Sequence, residues 1–301
     1  MQILSKTHGF IFQQRIITFG TLSHIYRLEN ILGFGQILDN IYSHCYVPRV
    51  SYFTGFIDIH DILLSLNGDP IFAATRYNCI ATISSIHSFK PIWKPSFISQ
   101  IVAEDRCHLN GVTSYKGLPI YATAFSITDY CEGWRDCLHS GGIIFDLQNN
   151  NIICEDLFLP HSPRMIGQNL WVLNSGRGEL GFIEKTTQNK GTFQPVAQLP
   201  GLTRGLNFHE DFAIIGLSRP RYDKLEDNKF DCFTSSSKEN WCGFQIIDIK
   251  NGDCMHWFRI EGKVREIYDI VVMANVDCAQ TISPHEDGID LITVDMSHLL
   301  V

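Results

Sequence analysis

Long apolar runs are missing from this chain; none of its hydrophobic stretches approaches the length a helix needs to span a bilayer. Clusters of lysine and arginine are missing too. Lys and Arg total 24 against 32 Asp and Glu, which gives a net charge of −8 and a pI near 5.8. That balance excludes the basic surface expected of a nucleic-acid or anionic-membrane partner. The ten cysteines include no CxxC pair, so neither a zinc ribbon nor a thioredoxin-type centre is signalled. No signal peptide opens the chain, since "MQILSKTHGFIFQQ" breaks its apolar character every few residues. Many cysteines without a secretion signal predict reduced thiols and a soluble, cytoplasmic protein. Charged residues make up 19% and hydrophobic ones 45%, which excludes a disordered chain and leaves ample material for a core.

Sustained helical periodicity is also scarce. In its place a short β-type run, a Gly, Asn or Asp turn and a second short run recur. Residues 58–85 show the pattern: an apolar run, Asn67-Gly68-Asp69, "PIFAAT", another turn, then "CIATI". Asn-Gly suits the positive φ angles of tight hairpins. "KPIW" (90–93) would add a fourth, outer strand. Units of this kind begin near residues 1, 60, 108, 161, 203 and 267, about the period of a four-stranded propeller blade. The spacing predicts an all-β, six-bladed β-propeller in one domain over 1–301, interrupted by long loops at 127–140 and 219–240. Both ends look cropped for such a ring. Two readings stand: 288–301 supplies a closing strand, or the chain is a fragment lacking outer strands at its termini.

Each unit opens with polar residues just before its first strand: "DIHD" (58–61), "EDRCHLNG" (104–111), "HSPR" (161–164), "TRG" (203–205) and "EIYD" (266–269). First strands line a propeller channel, so these groups converge on one mouth. Carboxylates with imidazoles hold divalent cations such as Ca²⁺, Mg²⁺, Mn²⁺ or Zn²⁺, and His60, Asp61 and Asp269 are the candidate metal ligands. A histidine beside an acid serves as general base, which singles out His108 with Glu104 and Asp105. Guanidinium groups clamp carboxylate or phosphate, the role expected of Arg164 and Arg204, with Asn110, His161 and Tyr268 orienting the ligand. The competing account is that these groups satisfy one another and tie the blades together.

Other motifs carry less. "LNSGRGELGF" (173–182) has GxGxxG-like spacing but opens no helix, so it reads as a hairpin turn rather than a dinucleotide loop. Cys107, between Arg106 and His108, reads as a buried thiol before a nucleophile. Trp134, in "GWRD", either covers the channel or anchors its own loop. "GLSRPR" (216–221) reads as a solvated loop, and "PHEDG" (284–288) as a turn.

Several longer segments are distinctive in their order: "CYVPRV" (45–50), "GFIDIHD" (55–61), "KPSFISQIVAEDRCHLNG" (94–111), "PHSPR" (160–164), "LWVLNSGRGELG" (170–181), "LPGLTRGLNF" (199–208) and "EGKVREIYDIVVM" (261–273). On these the chain resembles, over nearly its full length, a family of bacterial conserved hypothetical proteins. The resemblance implies a propeller-like fold and brings no established activity. Members often carry Trp-His after the Pro-Arg of the fourth unit, where this chain has Met165-Ile166, so no role is carried over to that position. The layout is more distantly similar to six-bladed propellers of the gluconolactonase and strictosidine synthase type, some of which hold a metal on the channel axis. The expectation is therefore a channel-mouth site for a small molecule or peptide, with a metal-assisted hydrolase, lyase or isomerase as its active form. The alternative is a non-catalytic binding or scaffold propeller.

Overall fold

The computed structural model describes residues 9–13, 15–186, 190–219 and 240–283. Blade one comprises β1 (Gly9–Gln13), β2 (Ile16–Gly20), β3 (His24–Asn30) and β4 (His44–Phe53). Blade two comprises β5 (Ile59–Leu64), β6 (Pro70–Ala74), β7 (Cys79–Thr82) and β8 (Lys90–Trp93). Blade three is β9 (Leu109–Tyr115), β10 (Leu118–Ala124), β11 (Gly142–Asp146) and β12 (Asn151–Leu157). Blade four is β13 (Pro160–Ile166), β14 (Asn169–Asn174), β15 (Glu179–Lys185) and β16 (Gly191–Gln198). Blade five is β17 (Leu202–His209), β18 (Phe212–Ser218), β19 (Gly243–Asp248) and β20 (Cys254–Arg259). In every blade the strands pair in chain order and antiparallel. The first strands pack against one another in the order β1, β5, β9, β13, β17 and wall the channel. The fold is an all-β propeller.

The described residues hold five blades, not the six expected from the repeat. The unit expected from residue 267 forms no blade, because 266–273 makes no strand ladder with a neighbour. A short β21 (Ala279–Thr281) follows and runs parallel to β4 at His44–Tyr46. The first unit is also fuller than expected. It is a complete four-stranded blade, with "HIYRLEN" (24–30) as its third strand. The candidate closing strand at 288–301, the "PHEDG" turn (284–288) and all but the first and last residue of the 219–240 loop lie outside the described residues.

Alternation within the strands gives each blade two apolar faces, and facing pairs fuse into the core. Ile25 of blade one meets Ile59 and Phe72 of blade two, and Leu63 and Ile80 of blade two meet Val112 and Phe145 of blade three. Ile144 of blade three meets Val172 and Ile183 of blade four, and Leu173 and Leu180 of blade four meet Ile215 and Ile247 of blade five. Burying such side chains stabilises by roughly 1.5–3 kcal/mol each. Among the described residues no buried apolar cluster joins blade five to blade one.

The connections follow local chemistry. Gly68 takes φ 82° in the Asn67-Gly68-Asp69 turn between β5 and β6. Ser175–Arg177 forms a 3-10 turn between β14 and β15, so the glycine-rich 173–182 stretch links strands as the sequence predicts. The loop at 127–140 holds a second such turn, Gly133–Cys137, which carries Trp134.

Candidate functional site

The entry to each inner strand repeats one backbone device. The residue just before the strand takes a positive φ in blades two to five: Asp58 (56°), His108 (51°), Leu159 (50°) and Gly201 (95°). The following residues then slip by a β-bulge, between Ile59 and Ile62, His161 and Arg164, and Thr203 and Leu206. Bulges re-aim side chains, and non-glycine residues held at positive φ cost energy and gather at functional sites. This register separates the three unit-start histidines. His60 and His161 lie inside their strands, whereas His108 precedes Leu109 and occupies the left-handed position itself.

His108 is the best-organised of them. Its Nδ1 lies 2.8 Å from Asp105 Oδ2 and 3.1 Å from Oδ1, and Trp134 Nε1 donates to the same Oδ2 at 3.0 Å. A carboxylate can only accept, so Nδ1 carries hydrogen and the opposite ring edge presents Nε2. The imidazole stacks on Phe125 with centroids 4.4 Å apart, Trp134 lies tilted beside it at 4.5 Å, and His60 meets it edge-on at 4.8 Å. His161 closes the row, 5.2 Å from Phe125. Nδ1 of His60 donates to Asp58 O at 3.1 Å, and Nδ1 of His161 to Leu159 O at 2.9 Å. Each ring is thus turned by an acceptor at the start of its own blade.

Arg106 fixes the loop that brings Trp134 to this row. It reaches Glu104 at 2.9 Å, Ser99 at 2.9 Å and Asp129 at 2.6 Å. Hydrogen bonds from Arg106 and Ser99 hold the Asp129 carboxyl below its ordinary range. Glu104 therefore turns to Arg106, and no bond joins it to His108. Cys107 is fully buried, its backbone N–H bonded to Asn78 Oδ1, and burial with the Asp105 charge pushes the thiol up. It is a core residue, as the sequence predicts.

A second cluster fills the channel axis beneath. Arg164 makes paired contacts to Asp61, at 2.9 and 3.2 Å, and lies 3.6 Å from Asp269. It also donates to Leu206 O at 3.1 Å and Pro163 O at 2.9 Å. Asp61 accepts from Ile62 N and Val112 N, and Asp269 from Phe10 N and Ile270 N. Burial works against the Arg164 charge, but the two carboxylates outweigh it and raise its pKa. Burial, helped by Asp61, pushes Asp269 up to about 7 against the pull of Arg164.

The structure thus divides the expected site residues. His60, His108, His161 and Asp105 share the mouth, while Asp61, Arg164 and Asp269 share the axis. Asn110 is spent between blades, donating to Pro160 O at 3.0 Å and accepting from Thr123 Oγ1 at 2.6 Å. Arg204 lies over the Tyr268 ring, 4.5 Å from its centroid. Among the described residues no three His, Cys, Asp or Glu side chains are grouped to hold a metal ion. The chemistry agrees: Arg164 engages both carboxylates of the expected set, and His60 is turned to Asp58. The residues present do not fit a divalent cation at His60, Asp61 and Asp269. Phe125 and Arg106 are the members the sequence does not single out; Arg106 stands inside the opening polar motif, whereas nothing local marks Phe125.

Solved structures share the fold at low identity. A gluconolactonase from Xanthomonas campestris superposes with a TM-score of 0.55 at 10% identity, covering 85% of this chain and 77% of that one. A luciferin-regenerating enzyme gives 0.54 at 8%, covering 85% and 76%. A chain of the nidogen/laminin complex gives 0.55 at 12%, covering 86% and 82%. Enzymes and a binding protein stand side by side there, so the fold does not select a function. No curated protein matches the sequence significantly. Among the described residues no helix is long and apolar enough to cross a membrane. Over residues 1–282 the sequence matches the family described as Domain of unknown function (DUF4915), and the chain belongs to that family.

Proposed function

We propose that the channel mouth binds a small molecule and that His108 acts on it as a general acid–base, positioned by Asp105. The observation that carries this reading is the Trp134–Asp105–His108 chain of hydrogen bonds around an imidazole held at φ 51°. Phe125 and Trp134 cover the ring, so a ligand meets it through the Nε2 edge. Nε2 takes a proton from the bound molecule or from an attacking water and returns it to the leaving oxygen; the developing imidazolium is stabilised by Asp105. His60 and His161 flank the ligand, and no metal enters the step. Hydrolysis, elimination and isomerisation all use such a base. The fold-level likeness to a gluconolactonase makes lactones and esters the first class to assay.

A specific observation favours a second reading, a binding module without chemistry. Asn110, Asp61 and Arg164 direct their polar atoms at backbone and side chains of neighbouring blades. The test is a His108→Asn variant, since asparagine tolerates the left-handed backbone and removes the imidazole. Hydrolysis of a lactone and ester panel is expected to fall by about 10²–10⁴-fold while the fold persists. Turnover retained in His108→Asn sinks the catalytic reading. A panel that is bound but not turned over by the parent supports the second.

A further inference from the structure

Among the described residues, four of the seams between consecutive blades are sealed by buried apolar clusters, and the seam between blade five and blade one is not among them. What lies there is 266–273. It occupies the place a sixth inner strand would take, yet no backbone ladder joins it to β17 or β1. On the blade-five side, Ile267 exchanges hydrogen bonds with Ser218, at 2.9 Å from its N–H and 3.1 Å to its carbonyl. Ile267 and Ile270 cover Gly216, and Tyr268 lies under Arg204. On the blade-one side, Met273 packs on the cluster of Ile17, Phe19 and Tyr46, and Phe10 N donates to Asp269 at 2.8 Å. Gly205 permits the approach: at φ 79° it lacks the Cβ that would sit 2.7 Å from Asp269 Cα.

We propose that 266–273 is a strap closing the propeller ring, that Asp269 is its clasp, and that the ring opens locally at this seam before it opens anywhere else. Asp269 is suited to the role because its carboxylate reaches two blades directly and a third through Arg164. It accepts from blade one at Phe10, faces Arg164 of blade four, and through that guanidinium is tied to Asp61 of blade two. Segments held by few ladder bonds and little buried apolar area open with the lowest free energy. The proposal is independent of any chemistry at His108.

Amide hydrogen exchange on the full chain tests it, comparing the parent with Asp269→Ala and Asp269→Asn. In the alanine variant the amides of Phe10 and of 266–273 are expected to exchange about tenfold faster or more, because the acceptor of the Phe10 N–H is lost. Amides of β9, β10 and β14 should keep their rates. Asparagine retains one carbonyl acceptor, so its effect at the same amides should be smaller. If the alanine variant does not fold, the asparagine variant carries the same regional comparison. Unchanged exchange at the seam overturns the proposal, and so does acceleration spread evenly over all blades.

Discussion

Two buried carboxylates share one arginine on the channel axis, and burial holds the Asp269 carboxyl well above the ordinary carboxylate range. Its pKa rises from 3.8 to about 7, chiefly through burial. Between those values the folded state holds a proton that the unfolded state has released, so this group favours folding at low pH. The contribution is fully present below 3.8 and is lost as pH rises through about 7. Thermal unfolding followed from pH 5 to 9 is therefore expected to show a stability step that falls as pH rises from 5 and levels off above about 7. Asp269→Asn should flatten that step even if its overall Tm is lower; a step of undiminished size in the variant would assign it elsewhere. The sequence marks Asp61, Arg164 and Asp269 as polar residues at unit starts, but not that they neutralise one another. They stand more than a hundred residues apart, and only the ring brings them together.

At the scale of elements, the long loop at 127–140 works as a cover held by the Arg106 side chain and by backbone bonds, Trp134 N–H to Arg106 O and Glu132 N–H to Glu104 O, both at 3.0 Å. Arg106 ties Asp129 at 2.6 Å, and the loop then lays Trp134 on His108. Arg106→Ala should loosen it, since the Asp129 anchor is lost while the backbone bonds remain. Proteolysis within 127–140 is expected to quicken and Trp134 fluorescence to shift to the red, while the strands stay protected; unchanged cleavage would show that the loop is held by its own packing. The strands themselves are legible locally. Inner strands at Ile59, Leu109, Pro160 and Leu202 begin within two residues of the expected unit starts. The bulge that separates His108 from His60 and His161 is not legible, because register depends on which partner residue the strand meets.

Across the whole molecule, stability rests on the interfaces between blades more than on any one blade. Phe72 is fully buried between blades one and two. Phe72→Ala should cost about 3–5 kcal/mol, read from denaturant unfolding. A loss below about 1 kcal/mol, within the range of surface changes, would mean that this interface does not carry the fold.

The alternation of short apolar runs with Gly, Asn and Asp turns determined an all-β propeller by itself. Pleated strands expose two faces, and only stacking neighbouring sheets buries both. The same pattern put His60, His108 and His161 near one another, because inner strands start side by side. Tertiary structure alone decided the number of blades and the division of the polar residues. The run at 267–273 is as apolar as any strand, but a strand exists only where a partner supplies its ladder. With Gly205 admitting the Asp269 backbone on one side and Phe10 bonded to its carboxylate on the other, that run closes the ring without forming a sheet.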